Sequence, residues 1–308
     1  MRIDLNTRKL RYFLAVAEEL HFSRAAARVF LTQQALSRQI KELEDELGVR
    51  LFERTTRQVA LTAAGESFLD SVRSLLSGFD EAVEAARRTD RTLAGRIRLG
   101  FFAGAALELT GPILTAFREA FPDVEVEMRE VPPHDPSAGL ASGVTDVAFI
   151  RLPQGTQRIE TEALFTDPVM AMVAQDHQLA VRTSVSVRDL VDEPMTLSET
   201  ADETYRAFWG LYDVRERPGT FVPVNSVTEE SSMVAAGAAI ALTTAAVSVY
   251  APTPGTRFLP IDDWPGSVVA LAWHRGERSP VVARFVDTVC AVRDRERELI
   301  DQIENRGR

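Results

Sequence analysis

The sequence predicts an α+β chain of several domains: a helix-turn-helix with a short two-stranded wing, one long helix, and an α/β body. Three observations predict this. Apolar residues recur at helical spacing through the first fifty residues, broken only by short turn segments. A heptad-like apolar row follows over residues 63–88. Beyond residue 92, short apolar runs alternate with helical patterns, as expected of strands carrying helices on the faces of a doubly wound parallel sheet.

Each element follows from its residues. Over 7–20, Leu10, Phe13, Leu14, Val16, Ala17 and Leu20 lie three or four apart, which makes an amphipathic helix. Ser23 is the expected N-cap of a second, short helix. Thr32 is expected to cap a third over 33–47, with Ala35, Leu36, Ile40, Leu43 and Leu47 inward and Gly48 ending it. So few residues separate the second and third helices that the pair reads as a helix-turn-helix. Residues 50–61 place Leu51, Phe52, Val59 and Leu61 around Arg54, Thr55, Thr56 and Arg57, a two-stranded wing with a basic tip.

In the long helix, Phe68, Val72, Leu75, Phe79, Ala82 and Ala86 are spaced alternately four and three apart. At 1.5 Å per residue this helix is roughly 40 Å long. A row of this length calls for a partner helix, so Phe68, Val72, Leu75, Phe79 and Ala82 are expected to dimerise; the alternative is packing onto their own domain. The body then reads as strands over 96–102, 124–131 and 144–150 with helices over 109–120 and 135–142. A second set has strands over 169–173, 195–197, 221–224 and 240–242, short helices over 187–190, 204–212 and 229–236, a returning strand over 268–273 and a final helix over 280–306.

The net charge of −10 argues against nucleic acid until its distribution is considered. Residues 1–60 hold 11 Lys and Arg against 8 Asp and Glu; the other residues hold 24 against 37. A small basic module is therefore joined to a large acidic body, and exposed charges more than about 10 Å away are largely screened at 0.1 M salt. The single cysteine, Cys290, excludes an internal disulfide and a cysteine-rich metal site, and it fits a reducing cytoplasm. The N-terminus meets charge too early for a secretory leader. Residues 233–251 carry no charge, but their Ala, Gly and Thr content suits a buried helix–strand–helix passage and no membrane span. His21, His134, His177 and His274 lack metal-ligand spacing, and neither a nucleophile elbow nor a phosphate loop is present, so neither an enzyme nor a cofactor is expected.

The run His21-Phe-Ser-Arg-Ala-Ala-Ala-Arg-Val-Phe-Leu-Thr-Gln-Gln-Ala-Leu-Ser-Arg-Gln-Ile-Lys-Glu-Leu-Glu-Asp-Glu-Leu-Gly-Val-Arg-Leu-Phe-Glu-Arg, with Leu61-Thr-Ala-Ala-Gly after it, resembles the signature of LysR-type transcriptional regulators. The resemblance implies a DNA-binding domain over 1–62, a linker and dimerisation helix over 63–91, and an effector-binding domain over 92–308 with a periplasmic-binding-protein-like fold. Its first lobe would span 92–163 and 266–308, its second 164–265. The implied partners are double-stranded DNA bearing an interrupted palindromic operator, a small-molecule effector between the lobes, further copies in a homodimer or homotetramer, and RNA polymerase. A DNA-binding protein without ligand control is the competing reading, and a two-lobed body of over two hundred residues argues against it.

Groove-facing polar residues near the start of a recognition helix read bases. Gln33, Gln34, Ser37 and Arg38 occupy those positions, where Gln suits adenine and Arg guanine. In the family the residues matching these four make such contacts, although the position of Gln34 is often Pro. Thr32 and Ser37 suit a phosphate or a base edge; Ser23 and Lys41 suit the backbone. Arg54 and Arg57 suit phosphate or the minor groove, or else pair with Glu53. For the effector, the carboxyl ends of strands bring forward Phe102, Ala103, Gly104, Pro133, Arg151, Ser198, Glu199, Thr200, Val227 and Thr228. Many relatives carry Ser or Thr near Gly104 and Pro133 to hold an effector carboxylate, so this chain lacks that grip. Arg151 is the candidate anion partner, unless an acidic side chain across the cleft takes it.

Overall fold

The first helix, α1 (Thr7–Glu19), starts where Asn6 accepts a bond from Arg8 N at 2.8 Å, and it stops where Leu20 turns left-handed. The second, α2 (Phe22–Arg28), is capped by the His21 ring and not by Ser23, because the helix begins two residues earlier than expected. Thr32 does cap α3 (Gln33–Leu47), accepting Ala35 N at 3.2 Å, and Gly48 at φ +71° ends it. The wing strands β1 (Phe52–Arg54) and β2 (Val59–Leu61) pair antiparallel, Phe52 opposite Leu61. Glu44 Oε1 fastens the wing to α3 by accepting the N–H groups of Leu51 (2.8 Å) and Phe52 (3.0 Å). The long helix α4 (Ala63–Leu93) follows. The computed structural model describes residues 6–54, 59–93, 95–102, 104, 106–277 and 279–307.

Two compact units result, Met1–Ala85 and Ala86–Arg308. The core of the first gathers around Phe13, whose ring lies 5.4 Å from Phe52 and 5.1 Å from Phe68. Leu36, Ile40 and Leu43 of α3 enter the same core, as do Val72 and Leu76 of α4. This corrects the expected dimer row. Phe68 and Val72 serve their own domain, whereas Leu75 (53% exposed), Phe79 (45%) and Ala82 stand on the open side of the helix.

The second unit opens with β3 (Arg96–Phe101), α5 (Thr110–Ala120), β4 (Glu125–Glu130), β5 (Val147–Leu152) and β6 (Ile159–Asp167). The chain then passes Pro168 into a second lobe of β7 (Val169–Ala174), β8 (Met195–Ser198), α6 (Glu203–Trp209), β9 (Phe221–Val224), α7 (Val227–Ala235), β10 (Ala241–Thr244), α8 (Ala245–Tyr250) and β11 (Thr256–Pro260). It returns with β12 (Ser267–His274), α9 (Pro280–Arg295) and α10 (Arg297–Glu304). The first lobe's sheet runs β4-β3-β5-β12-β6, so β6 carries that lobe past the expected limit of residue 163 to Asp167. The second lobe has a β10-β7-β11 sheet and a β8-β9 pair, with an isolated bridge between Met195 and Ile240.

The sheets are mixed, not parallel throughout. β3 is parallel to β4 and β5, but the returning β12 is antiparallel to both neighbours, and β7 is antiparallel to both of its own. The expected helix over 135–142 is a chain of turns: Asp135 accepts the N–H groups of Ser137 and Gly139, while Ala138 (φ +49°) and Gly139 (φ +88°) leave helical geometry. A close approach dictates this path, since a Cβ on Gly100 would sit 2.0 Å from the Ala138 carbonyl oxygen. The expected final helix divides at Glu296. The expected buried passage over 233–251 is a helix–strand–helix in which β10 is buried while residues 236–238 and the end of α8 are exposed, and no helix among the described residues is long and apolar enough to cross a membrane.

Candidate functional site

The first candidate surface lies on the N-terminal half of α3. Leu36, Ile40 and Leu43 fix the inner face of that helix, which turns Gln33, Gln34, Arg38 and Lys41 outward, all exposed. Ser37 is half-buried. Ser23 Oγ donates to Gln33 Oε1 at 2.8 Å, so α2 orients the first candidate reader. Arg38, with its side chain 82% exposed, donates Nε to Glu42 Oε1 at 3.0 Å one turn on, and that bond holds the Glu42 carboxyl below its usual range. Two acidic residues of α3 are turned to internal tasks: Glu44 holds the wing and Glu46 pairs with Lys9. Arg57 and the side chain of Arg54 lie outside the described residues.

The second candidate surface is a cavity of about 540 Å³ whose walls come from both lobes. The first lobe contributes Phe102, Glu130 to Pro133 at the end of β4, and Arg151 at the end of β5. The second contributes Thr196 and Ser198 of β8, Tyr205 and Trp209 one turn apart on α6, residues 224–228 and Glu230 at the start of α7, and residues of β10 and α8. Of the expected effector residues, Phe102, Pro133, Arg151, Ser198, Val227 and Thr228 line this cavity. Glu199 and Thr200 do not; they border a separate shallow hollow with Arg206 and Phe221. Their loop serves α6, because Thr200 Oγ1 accepts Asp202 N and Asp202 in turn caps the helix. Ala103 lies outside the described residues. Gly104 does not line the cavity, and its φ of +92° strains any residue that carries a Cβ there.

Arg151 meets the alternative raised from the sequence. Its Nη2 donates to Asp167 Oδ2 at 2.8 Å, and both side chains are withdrawn from solvent. Asp167 also accepts Ala246 N of α8 at 3.3 Å. Arg151 Nη1, however, is buried without a partner. Glu230 is partly buried and accepts Thr196 Oγ1 at 3.0 Å; desolvation pushes its carboxyl up to about 7. Tyr205 is buried, and burial raises its hydroxyl pKa, with Arg151 opposing and Glu230 and Asp202 adding to the shift. The backbone N–H of Gly155 donates to Asp202 Oδ2 at 2.7 Å, a bond that joins the two lobes. Thr196, Tyr205, Trp209 and Glu230 escaped the sequence reading. The signal available was the one-turn spacing of Tyr205 and Trp209, and the place of Glu230 in the first turn after the expected Val227 and Thr228. Among the described residues, no three His, Cys, Asp or Glu side chains gather as a metal site would require.

Residues 90–293 match the family model described as LysR substrate binding domain, and residues 7–66 match the bacterial regulatory helix-turn-helix protein, lysR family. The chain belongs to the LysR family. Among curated proteins this LysR-type regulator is 31% identical over 294 residues to the DNA-binding transcriptional dual regulator OxyR of Escherichia coli (strain K12), covering 94% of this chain and 96% of that one. It is 34% identical over 281 residues to the HTH-type transcriptional regulator ShiR of Corynebacterium glutamicum (strain R), covering 88% and 94%. The crystal structure of full-length BenM matches with a TM-score of 0.53 at 27% identity, over 95% of this chain and 98% of that one. The LysR-type regulator described here is thus a DNA-binding transcriptional regulator with an effector-binding domain.

Proposed function

We propose that Gln33, Ser37 and Arg38 read operator bases, that Thr32, Lys41, Arg54 and Arg57 hold the DNA backbone, and that a small molecule in the inter-lobe cavity controls the outcome at the promoter. The observation that carries the ligand half is the unpartnered Nη1 of Arg151 in a cavity walled by both lobes. A buried donor without a partner costs roughly 1–3 kcal/mol, and a bound acceptor removes that cost.

A sensor working by an internal dithiol is excluded by the sequence, which has only Cys290. That thiol lies in α9, and desolvation with nearby carboxylates raises its pKa, so it is a poor nucleophile. Leu75, Phe79 and Ala82 are the contact residues of a homodimer or homotetramer, which multiplies the few phosphate contacts of one copy on an interrupted palindrome. RNA polymerase is the further partner. The test is footprinting of the upstream region with and without a metabolite panel, alongside thermal melts. A compound that raises the melting temperature and alters the footprint is the expected result. A footprint indifferent to every compound that raises the melting temperature would overturn ligand control.

A further inference from the structure

The charges around the cavity are already settled in one sense and open in the other. Arg151 is the one cation among the described lining residues, and the Asp167 carboxylate beside it cancels its charge. The start of α7 also faces the cavity, and a helix N-terminus favours anions. Here that end is already answered. Ser226 Oγ accepts Glu229 N at 3.1 Å, Glu229 Oε2 accepts Asn225 N at 2.7 Å, and Glu229 and Glu230 place two carboxyl groups in the first turn. The two features that would hold a carboxylate are therefore occupied by the protein's own acidic groups.

Glu230 is in the opposite condition. Among the described residues its one polar partner is the neutral Thr196 hydroxyl, and no cation pairs with it. Glu130 stands on the cavity wall, and Asp202 acts with Glu230 on the Tyr205 hydroxyl, so carboxylates outnumber cations around the space. Beside Glu230 the wall is aromatic: the rings of Tyr205 and Trp209 lie 5.8 Å apart, and Phe102 lines the same cavity. A carboxyl group with aromatic faces is the setting that receives an organic cation. Arg151 Nη1 then remains as a single donor for a neutral oxygen.

Resting on the reading of this cavity as the effector site, we infer that its ligand is an apolar, ring-bearing amine whose nitrogen pairs with Glu230. The groups that face Glu230 give its pH dependence a definite sign. Thr196 from β8 and Tyr205 from α6 are neutral near pH 7, and Arg151 from β5 is cancelled, so Glu230 is the group that ionises on binding. An amine draws out the ionised carboxylate and releases a proton; its affinity therefore rises with pH. Because the free carboxyl is held at about 7, the gain between pH 6 and pH 8 is about tenfold.

The experiment uses the full-length protein and two matched probe sets: tryptamine, indole-3-ethanol and indole-3-acetate, and 2-phenylethylamine, 2-phenylethanol and phenylacetate. Thermal shift and calorimetry at pH 6 and pH 8 are expected to rank each amine above its carboxylate partner. Glu230→Gln is expected to lose at least tenfold in amine affinity and to flatten the pH dependence. The melting temperature of Glu230→Gln at pH 6 checks that it folds. A carboxylate that binds more tightly than its amine, an amine unaffected by Glu230→Gln, or affinity that falls with rising pH overturns the amine class and leaves the effector site standing. Silence from all six probes overturns the amine class, while the metabolite panel and footprint decide the effector reading of the cavity separately.

Discussion

The two polar surfaces of this regulator meet opposite physical conditions. On α3, Gln33, Gln34, Arg38 and Lys41 stand in water, oriented by their own helix and by contacts such as Ser23 to Gln33 and Arg38 to Glu42. In the cavity, Arg151, Thr196 and Tyr205 are withdrawn from water, and Glu230 partly so; they come from four elements spread over eighty residues. An exposed reader is free to change with little effect on stability, because water replaces the lost partner. A withdrawn network ties recognition to folding, because removing one member strands another. The contrast gives an order to what substitutions should do.

The largest effect is expected at Asp167→Ala, which leaves the Arg151 guanidinium withdrawn and uncompensated. A loss of about 3–5 kcal/mol from the effector-binding unit, read by urea unfolding, is the expected outcome. A loss below about 1 kcal/mol would show that water reaches the pair and would break the contrast. Next is Phe79→Asp on the open side of α4. Its expected result is a shift toward monomer in sedimentation at unchanged thermal stability, since its neighbours Phe68 and Val72, and not Phe79, hold the core. Arg38→Ala should cost about 1–3 kcal/mol of discrimination at one base pair, leave the melting temperature unmoved, and show in competition binding against operator variants.

A further effect concerns stability and pH. The Glu230 carboxyl is held at about 7 against an ordinary 4.5. Below 4.5 folded and unfolded chains both carry the proton; between 4.5 and 7 only the folded chain keeps it, which costs stability; above 7 that cost is complete. Glu230→Gln removes it. The variant is therefore expected to melt with the wild type near pH 4.5 and above it at pH 8, and equal melts at both values would contradict the desolvated carboxyl.

The difference between the surfaces also explains what was legible in the sequence. The helix-turn-helix is written locally: Leu36, Ile40 and Leu43 mark the inner face of α3, and this alone turns Gln33, Gln34 and Arg38 outward. The dimer row was half legible, because a four-and-three spacing marks an apolar stripe without naming its partner, and Phe68 and Val72 turned out to face their own core. In the body, the ends of strands led to Phe102, Pro133 and Arg151, but Glu199 and Thr200 face another hollow because their loop caps α6. Strand β6 was missed because it pairs with a strand a hundred residues later, and residues 135–142 misled because helical composition yields there to the close approach at Gly100.

Asp167 deserves a mechanical reading. It is the last residue of β6, and Pro168 after it begins the passage into the second lobe. One of its oxygens holds Arg151 in the cavity wall; the other holds the backbone of α8, whose Ala246 is packed into the first lobe's core. The cavity wall, the crossing between the lobes and the start of α8 thus share one carboxylate, so a change at the Arg151 guanidinium is felt where the chain passes from one lobe to the other.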